Sequence, residues 1–440
     1  MANVFTSLQS IFKIPELKRR VLFTLMILVV YRIGGHVPTA GVNGQALAAY
    51  FEAQRGSLLG LYDMFVGGAF ANATIFALGI MPYISASIIL QLFTAVIPYF
   101  EKLNKMGEEG RKKITQYTRY GTVLLSLVQS FAMSMYLQNL GAVDGLPIVP
   151  NPGLGFTLLT MLTMTAGTVF IMWLGEQITD RGIGNGISLI IFIGIVARYP
   201  TDWLNTIRAL QMGSVSIFGV VILTVMMVGI VAAVVLMTQA QRRIPVQYAK
   251  RVVGRKVYGG QSTHIPLKLN TAGVIPVIFA QAIIMFPATI AGFLSGNVFM
   301  ENVAAMLSPG SWLYTTLYVV IIVFFAYFYT AIVFNPVDLA DNMKKYGGFV
   351  PGKRPGKKTA EYIDSVLTRI TLPGALFLAF IAVLPYFMQQ QLNAPFVFGG
   401  TGLLIVVGVG LDTLSQIESH LLMRHYDGFM KKGKLRGRRR

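Results

Sequence analysis

Gly347–Lys353 spells GGFVPGK, the outline of a loop that would cradle phosphates on its backbone amides. The outline fails at two positions. Arg354 stands where a Ser or Thr would bind the metal, and Pro351 removes a backbone donor. RGIGNG (Arg181–Gly186) is glycine-rich, but it follows no strand and lacks dinucleotide-turn spacing, so a bend or close helix packing explains it better. His36, His264, His420 and His425 are scattered without ligand spacing, and there are no cysteines to supply a thiolate nucleophile, a metal site or a disulfide. Arg32, Arg369 and Asp412 lie near the ends of apolar segments, where snorkelling or pairing accommodates a charge. No acid sits where a proton-coupled pump would want one. No nucleophile and base stand together with a cofactor motif. The expectation is a non-enzyme without a cofactor, drawing energy from a partner.

The elements that could position a site are membrane helices. Of 440 residues, 54% are hydrophobic and 12% charged, with a mean hydropathy of +0.61, far from the roughly 25% charged share of a soluble domain. Crossing a bilayer takes about 17–25 mainly apolar residues. Ten stretches qualify: 21–37, 73–97, 120–140, 155–174, 186–200, 215–237, 271–294, 312–334, 369–388 and 397–417. Ahead of them, Val4, Phe5, Leu8, Ile11 and Phe12 are spaced for a short helix on the membrane surface.

Lys and Arg orient the spans, because cations near span ends stay on the cytoplasmic side. They crowd the N-terminus and the loops after spans two, six and eight, and the tail ends in KKGKLRGRRR; the loops after spans three, seven and nine hold none. Both termini are therefore expected in the cytoplasm. The loops 238–270 and 335–368 are longer than a connection needs, and Tyr248, Val252, Val253, Val257 and Tyr258 give the first of them the makings of an ordered projection. Their charge serves topology and anionic membrane lipids on one reading. On the other they dock an acidic protein or a phosphate-rich RNA.

Two features of the spans are unusual. In GIMPYISASIILQ (Gly79–Gln91), Ile80, Ile84 and Ile88 form one stripe beside Pro82, Ser85 and Ser87, which a purely lipid-facing helix does not need. Gly56–Phe76 is apolar but broken by Asp63, Gly67, Gly68 and Asn72, too interrupted to cross and suited to a half-inserted helix inside the protein. GVIPVI (Gly273–Ile278) echoes GIMPYI (Gly79–Ile84). If spans one to five and six to ten are repeats, spans two and seven correspond and run in opposite senses, a hint of an inverted repeat.

From about Glu16 to the basic tail the chain resembles the SecY family, central subunits of protein-conducting channels. The blocks that carry the likeness are FALGIMPYISASIILQL (Phe76–Leu92), GRKKITQYTRYGT (Gly110–Thr122), MWLGEQITDRGIGNGIS (Met172–Ser188), QSTHIPLKLN (Gln261–Asn270), AGVIPVIFA (Ala272–Ala280), VFNPVDLADNMKKYGGFVPGKRPG (Val333–Gly356) and FGGTGLLIVV (Phe398–Val407). The resemblance implies an all-α integral membrane protein with ten transmembrane helices. Two inverted five-helix halves (21–205 and 206–420, between a flank 1–20 and a tail 421–440) would surround a central hourglass pore, with a half-inserted plug helix near 57–72. It implies a pore ring of Ile80, Ile84, Ile187, Ile191, Ile278 and Ile405, and a plug of Leu58, Leu59, Leu61, Tyr62, Met64, Phe65, Gly67, Gly68 and Phe70. A lateral gate would include Ser85, Ser87, Gln91, Gln129 and Phe286. The basic loops would bind the SecA ATPase and the ribosome through Arg242, Arg243, Lys250, Arg251, Arg255, Lys256, Lys353 and Arg354. SecE and SecG would complete a heterotrimeric channel in the bacterial plasma membrane. Its cargo would be unfolded precursors bearing signal sequences. The rival readings are a small-solute secondary transporter, which would show a polar midplane site, and a passive scaffold.

Overall fold

The computed structural model describes residues 14–53, 60, 62–63, 66–140, 146–213, 216–248, 251–253, 256–258, 262–293, 302–303, 306–307, 311–392 and 400–432. The expected surface helix over Val4–Phe12 lies outside them. Two compact units emerge: Met1–Leu204 with Met285–Ala304 and Val409–Arg440, and Asn205–Ile284 with Ala305–Gly408.

Helices of the first unit follow the apolar runs. They are α1 (Pro15–Gly34), α2 (Gly44–Ala53), α3 (Met81–Val96), α4 (Pro98–Lys105), α5 (Glu108–Asn139), α6 (Leu154–Arg181) and α7 (Gly186–Val196), with α8 (Tyr199–Gln211) beginning there. Span two was expected from Ala73. Its helix starts only at Met81, because Gly67–Ile80 runs through successive turns and Gly79 takes a positive φ. It ends where expected: Ile97 is extended ahead of Pro98, as the proline ring demands of its predecessor, and α4 leaves at 95°. Span five runs on instead of stopping at Pro200, since α7 and α8 together cover Gly186–Gln211.

RGIGNG proves to be a packing corner, as its composition suggested. Asn185 caps α7 by accepting from the Ile187 and Ser188 amides, the Ile183 amide donates to Thr24 Oγ1 at 3.1 Å, and Gln416 accepts from the Gly184 amide at 3.0 Å. A Cβ on Gly186 would sit 1.9 Å from the Gly175 carbonyl oxygen, so only glycine permits this approach of α7 to α6.

The second unit holds α9 (Ile217–Gln239), the start of α10 (Ile275–Phe293), α11 (Trp312–Val333), α12 (Pro336–Lys345) and α13 (Lys357–Leu392). Strands punctuate the helical plan in the long loops: β1 (Gln241–Tyr248), β2 (Arg251–Val253), β3 (Lys256–Tyr258), β4 (Ser262–Lys268) and β5 (Gly348–Phe349). The last helix, α14 (Gly400–Lys432), runs well past the expected end of span ten at Ile417. Among the described residues, seven helices are long and apolar enough to cross a membrane, or up to eight with the bent α3–α4 pair as one. The 20-residue α1 and α10, whose apolar stretch Ile275–Pro287 is short, lie where spans one and seven were expected but are not among those helices.

Candidate functional site

The echo between GIMPYI and GVIPVI is structural as well as textual. Gly79 and Gly273 both take positive φ, +56° and +63°, two residues ahead of a helix whose second position is proline, Pro82 in α3 and Pro276 in α10. Glycine tolerates the left-handed turn and proline pre-sets φ for the first helical turn. The isoleucines lie just past these breaks. Ile84 and Ile278 hold matching places, both buried, and Val274 occupies the place that Ile80 holds in the first copy. Val274 was not among the expected ring residues; lining up the two hexapeptides pairs it with Ile80. Ile80, Ile191 and Ile405 are also buried and Ile187 is half-buried.

Ahead of the first break, Gly60, Tyr62, Asp63 and Val66 are helical, while Leu58, Leu59, Leu61, Met64 and Phe65 lie outside the described residues. The segment is buried on its apolar side: Phe70 packs against Phe51 and Tyr62 with ring centroids 5.1 and 5.0 Å apart, and Tyr62 donates to the Leu78 carbonyl at 2.9 Å. Its polar groups find partners too. Arg32 donates to the Gly67 carbonyl at 2.9 Å, which is the pairing that accommodates its charge, and Arg198 meets Asp63 at 2.8 Å. A buried carboxylate left alone would cost several kcal/mol; here the Ala71 amide at 2.8 Å and the guanidinium share it. Neither arginine's partner was legible in the sequence, since they lie 35 and 135 residues away.

Of the expected gate residues, Gln91 donates to Ser87 at 3.1 Å along α3, so these two satisfy each other within one helix. Ser85 and Phe286 are half-buried. Gln129 on α5 is buried and its Oε1 has no hydrogen-bond partner among the described residues.

The two basic loops, read separately in the sequence, fold as one module in the second unit. β1 pairs antiparallel with β4 from the same loop, and with β5 from the other through Gln247↔Phe349 and Tyr248↔Gly348. Ile244 and Val246 alternate inward on β1, and with Leu267, Met343, Val350, Ile363 and Leu367 they form a buried cluster. Alternation also sends the neighbouring Arg242 and Arg243 to opposite faces, so the sheet cannot present both on one flat patch; both are exposed. Arg251 and Lys256 belong to the β2–β3 hairpin, and Lys250 and Arg255 lie outside the described residues.

Val350 anchors the turn that carries the failed phosphate loop. The Lys353 amide donates to the Val350 carbonyl at 3.1 Å, Thr359 Oγ1 donates to the Arg354 carbonyl at 2.9 Å, and Lys353 Nζ lies 5.3 Å over the Tyr362 ring. Lys358 donates to Glu361 at 2.8 Å; this bond holds the Glu361 carboxyl below its ordinary range and the Lys358 ammonium above its own. Both side chains are exposed, so the pair adds little stability, yet it takes the nearest acid out of play. The Arg354 guanidinium is left exposed on a rigid turn, with no ion pair among the described residues.

A sequence model of the SecY family matches residues 74–414. The chain belongs to the SecY family. The protein translocase subunit SecY of Escherichia coli K12 is 50% identical over 425 residues, covering 96% of each chain. SecY and Sec61 channels also share its fold. One is a SecY structure whose plug domain is described as stabilising the closed channel and maintaining a membrane seal, with a TM-score of 0.65 and 19% identity over 91% of this chain and 92% of that one. Another is Sec61 from the canine ribosome–channel complex, with a TM-score of 0.58 and 17% identity over the same shares. Like SecY, this chain is a multi-pass membrane protein with a helical membrane region.

Proposed function

We propose that this chain is the central subunit of a protein-conducting channel in the bacterial plasma membrane, with both termini in the cytoplasm. It passes unfolded secretory polypeptides across the membrane and releases membrane-protein segments sideways into lipid. The observation that carries this reading is the matched pair of helix breaks followed by isoleucines. A solute site at such breaks would offer polar or charged groups, whereas branched apolar side chains dewet a narrow throat, block ions and deform around a passing chain. The small-solute transporter reading is dropped, because the relatives that cover the chain are protein translocase subunits. Ile80, Ile84, Ile187, Ile191, Ile278 and Ile405 form the ring on this reading, with Val274 added by the echo, and the segment around Tyr62–Phe70 is the plug.

Energy comes from outside. The sheet module, with Lys353, Arg354 and, on opposite faces, Arg242 and Arg243, carries the docking surfaces for the SecA ATPase and the ribosome; the canine Sec61 relative, a ribosome–channel complex, supports the second partner. SecE and SecG complete the heterotrimer. The test is protease protection of a signal-bearing precursor in proteoliposomes holding this chain with its small subunits, SecA and ATP. Protection that requires ATP is the expected result; no protection with any motor, beside uptake of a small solute, would reject the channel.

The lateral gate gives a directional prediction. Gln129 Oε1 is buried with no hydrogen-bond partner among the described residues, and on the gate reading it gains one when the seam opens. Replacing Ser85 and Gln129 together by leucine then favours the closed seam by about 1 kcal/mol, roughly fivefold. Precursors with weak signal sequences should lose most transport and those with strong ones little. Equal transport of both classes by the variant and the parent would count against the gate.

A further inference from the structure

Asp63 is the only acid between Gly56 and Phe76, and a seal made of packed apolar side chains has no use for it. A buried ion pair is seldom more stable than well-packed hydrophobic residues of similar volume. What it supplies is an all-or-none contact. Apolar surfaces slide past one another gradually, but a carboxylate and a guanidinium either hold each other or both require water.

Three contacts converge on this segment from two helices and the link that follows the second. Arg198, in the two-residue link between α7 and α8, donates to Asp63 Oδ2 at 2.8 Å. Arg32, in the last turn of α1, donates to the Gly67 carbonyl at 2.9 Å. Between them the backbone of Gly67 rests on α7 so closely that a Cβ there would lie 2.9 Å from Gly194 Cα, and its φ of +73° already favours glycine. Asp63 Oδ1 meanwhile accepts the Ala71 amide, and its carbonyl accepts the Gly68 amide, so the same residue shapes the turn and closes the contact.

We infer that Arg198 and Arg32 are positioning residues, a two-point polar clasp that holds Asp63 and Val66–Ala71 in their seat and sets how often that segment leaves it. The consequence for ion sealing rests on the plug reading above; the clasp does not.

The chain has no cysteine, so a single Ala69→Cys reporter is unambiguous. Ala69 is buried, and its reaction with a soluble maleimide reads the population of the unseated segment. The protein is used as the full chain with its small subunits in proteoliposomes, with total thiol measured after denaturation. Arg198→Gln and Asp63→Asn, the latter keeping an acceptor for the Ala71 amide, should each raise the labelling rate about tenfold, below the full effect of breaking a buried pair because Arg198 is partly solvated. The double variant should label no faster than the faster single, and Arg198→Lys should restore most of the protection. Arg32→Gln, which breaks the second point, should raise labelling independently.

Unchanged labelling in the single variants, or increases that simply multiply in the Asp63/Arg198 double, would overturn the clasp. Ion flux through the same vesicles separates the two claims. Faster labelling with unchanged flux keeps the clasp and rejects the plug, whereas unchanged labelling rejects the clasp whatever the flux.

Discussion

Arg354→Glu should abolish motor-driven transport of a signal-bearing precursor while leaving the chain folded, inserted and joined to its small subunits. The structural half of that expectation follows from the turn. Arg354 contributes its backbone carbonyl to Thr359, and its guanidinium is exposed with no ion pair among the described residues. A substitution there is worth within about 0.5 kcal/mol of stability. The functional half follows from charge. Lys353 is drawn over Tyr362, Lys358 and Glu361 neutralise each other, and Arg354 is exposed beside Lys357 with no ion pair among the described residues. Losing one partner of a charge pair desolvated at an interface costs about 2–5 kcal/mol, at least roughly 30-fold, and reversing the sign adds repulsion. Protected precursor should therefore fall to background in the protease-protection assay, with a wild-type extraction profile. Transport at the parent's rate would remove Arg354 from the docking surface.

Polar replacement of the isoleucine ring carries the second large effect. Changing Ile84 and Ile191 together to serine should raise resting ion conductance of proteoliposomes at least tenfold, because hydroxyls let water wet a throat that branched apolar side chains keep dry. Both positions are buried, so lost packing is the competing explanation, and a core truncation of this size costs about 2–5 kcal/mol. Ile88 separates the two. It shares the stripe of Ile84 on α3 and is also buried, but it lies outside the proposed ring. Ile88→Ser should cost as much stability as either ring substitution made singly and leave conductance low. Equal leak from both variants would mean that loosened packing, not a wetted throat, carries the ions.

Much of this was legible because membrane helices announce themselves through long apolar runs and breaks through glycine and proline. The sharpest case is the echo of Gly79–Ile84 in Gly273–Ile278: two hexapeptides sharing a glycine, a proline and a final isoleucine became two turns with the same backbone hand and the same helix start. Where the sequence misled, local backbone chemistry competed with hydropathy. Ala73–Ile80 is apolar enough to extend span two, yet Gly79 and a run of turns delay the helix to Met81.

By itself the sequence determined the apolar, largely helical character of the chain and the family, because each depends on composition or on residues close together in the chain. Only the tertiary structure decided what those residues touch. It joined two basic loops into one sheet by pairing Tyr248 with Gly348, it set Arg242 and Arg243 on opposite faces, and it brought Arg32 and Arg198 onto the segment around Asp63. These pairings span 35 to 135 residues. They exist because a buried carbonyl, carboxylate or strand edge must find its partner wherever packing brings one, and no local pattern records where that is.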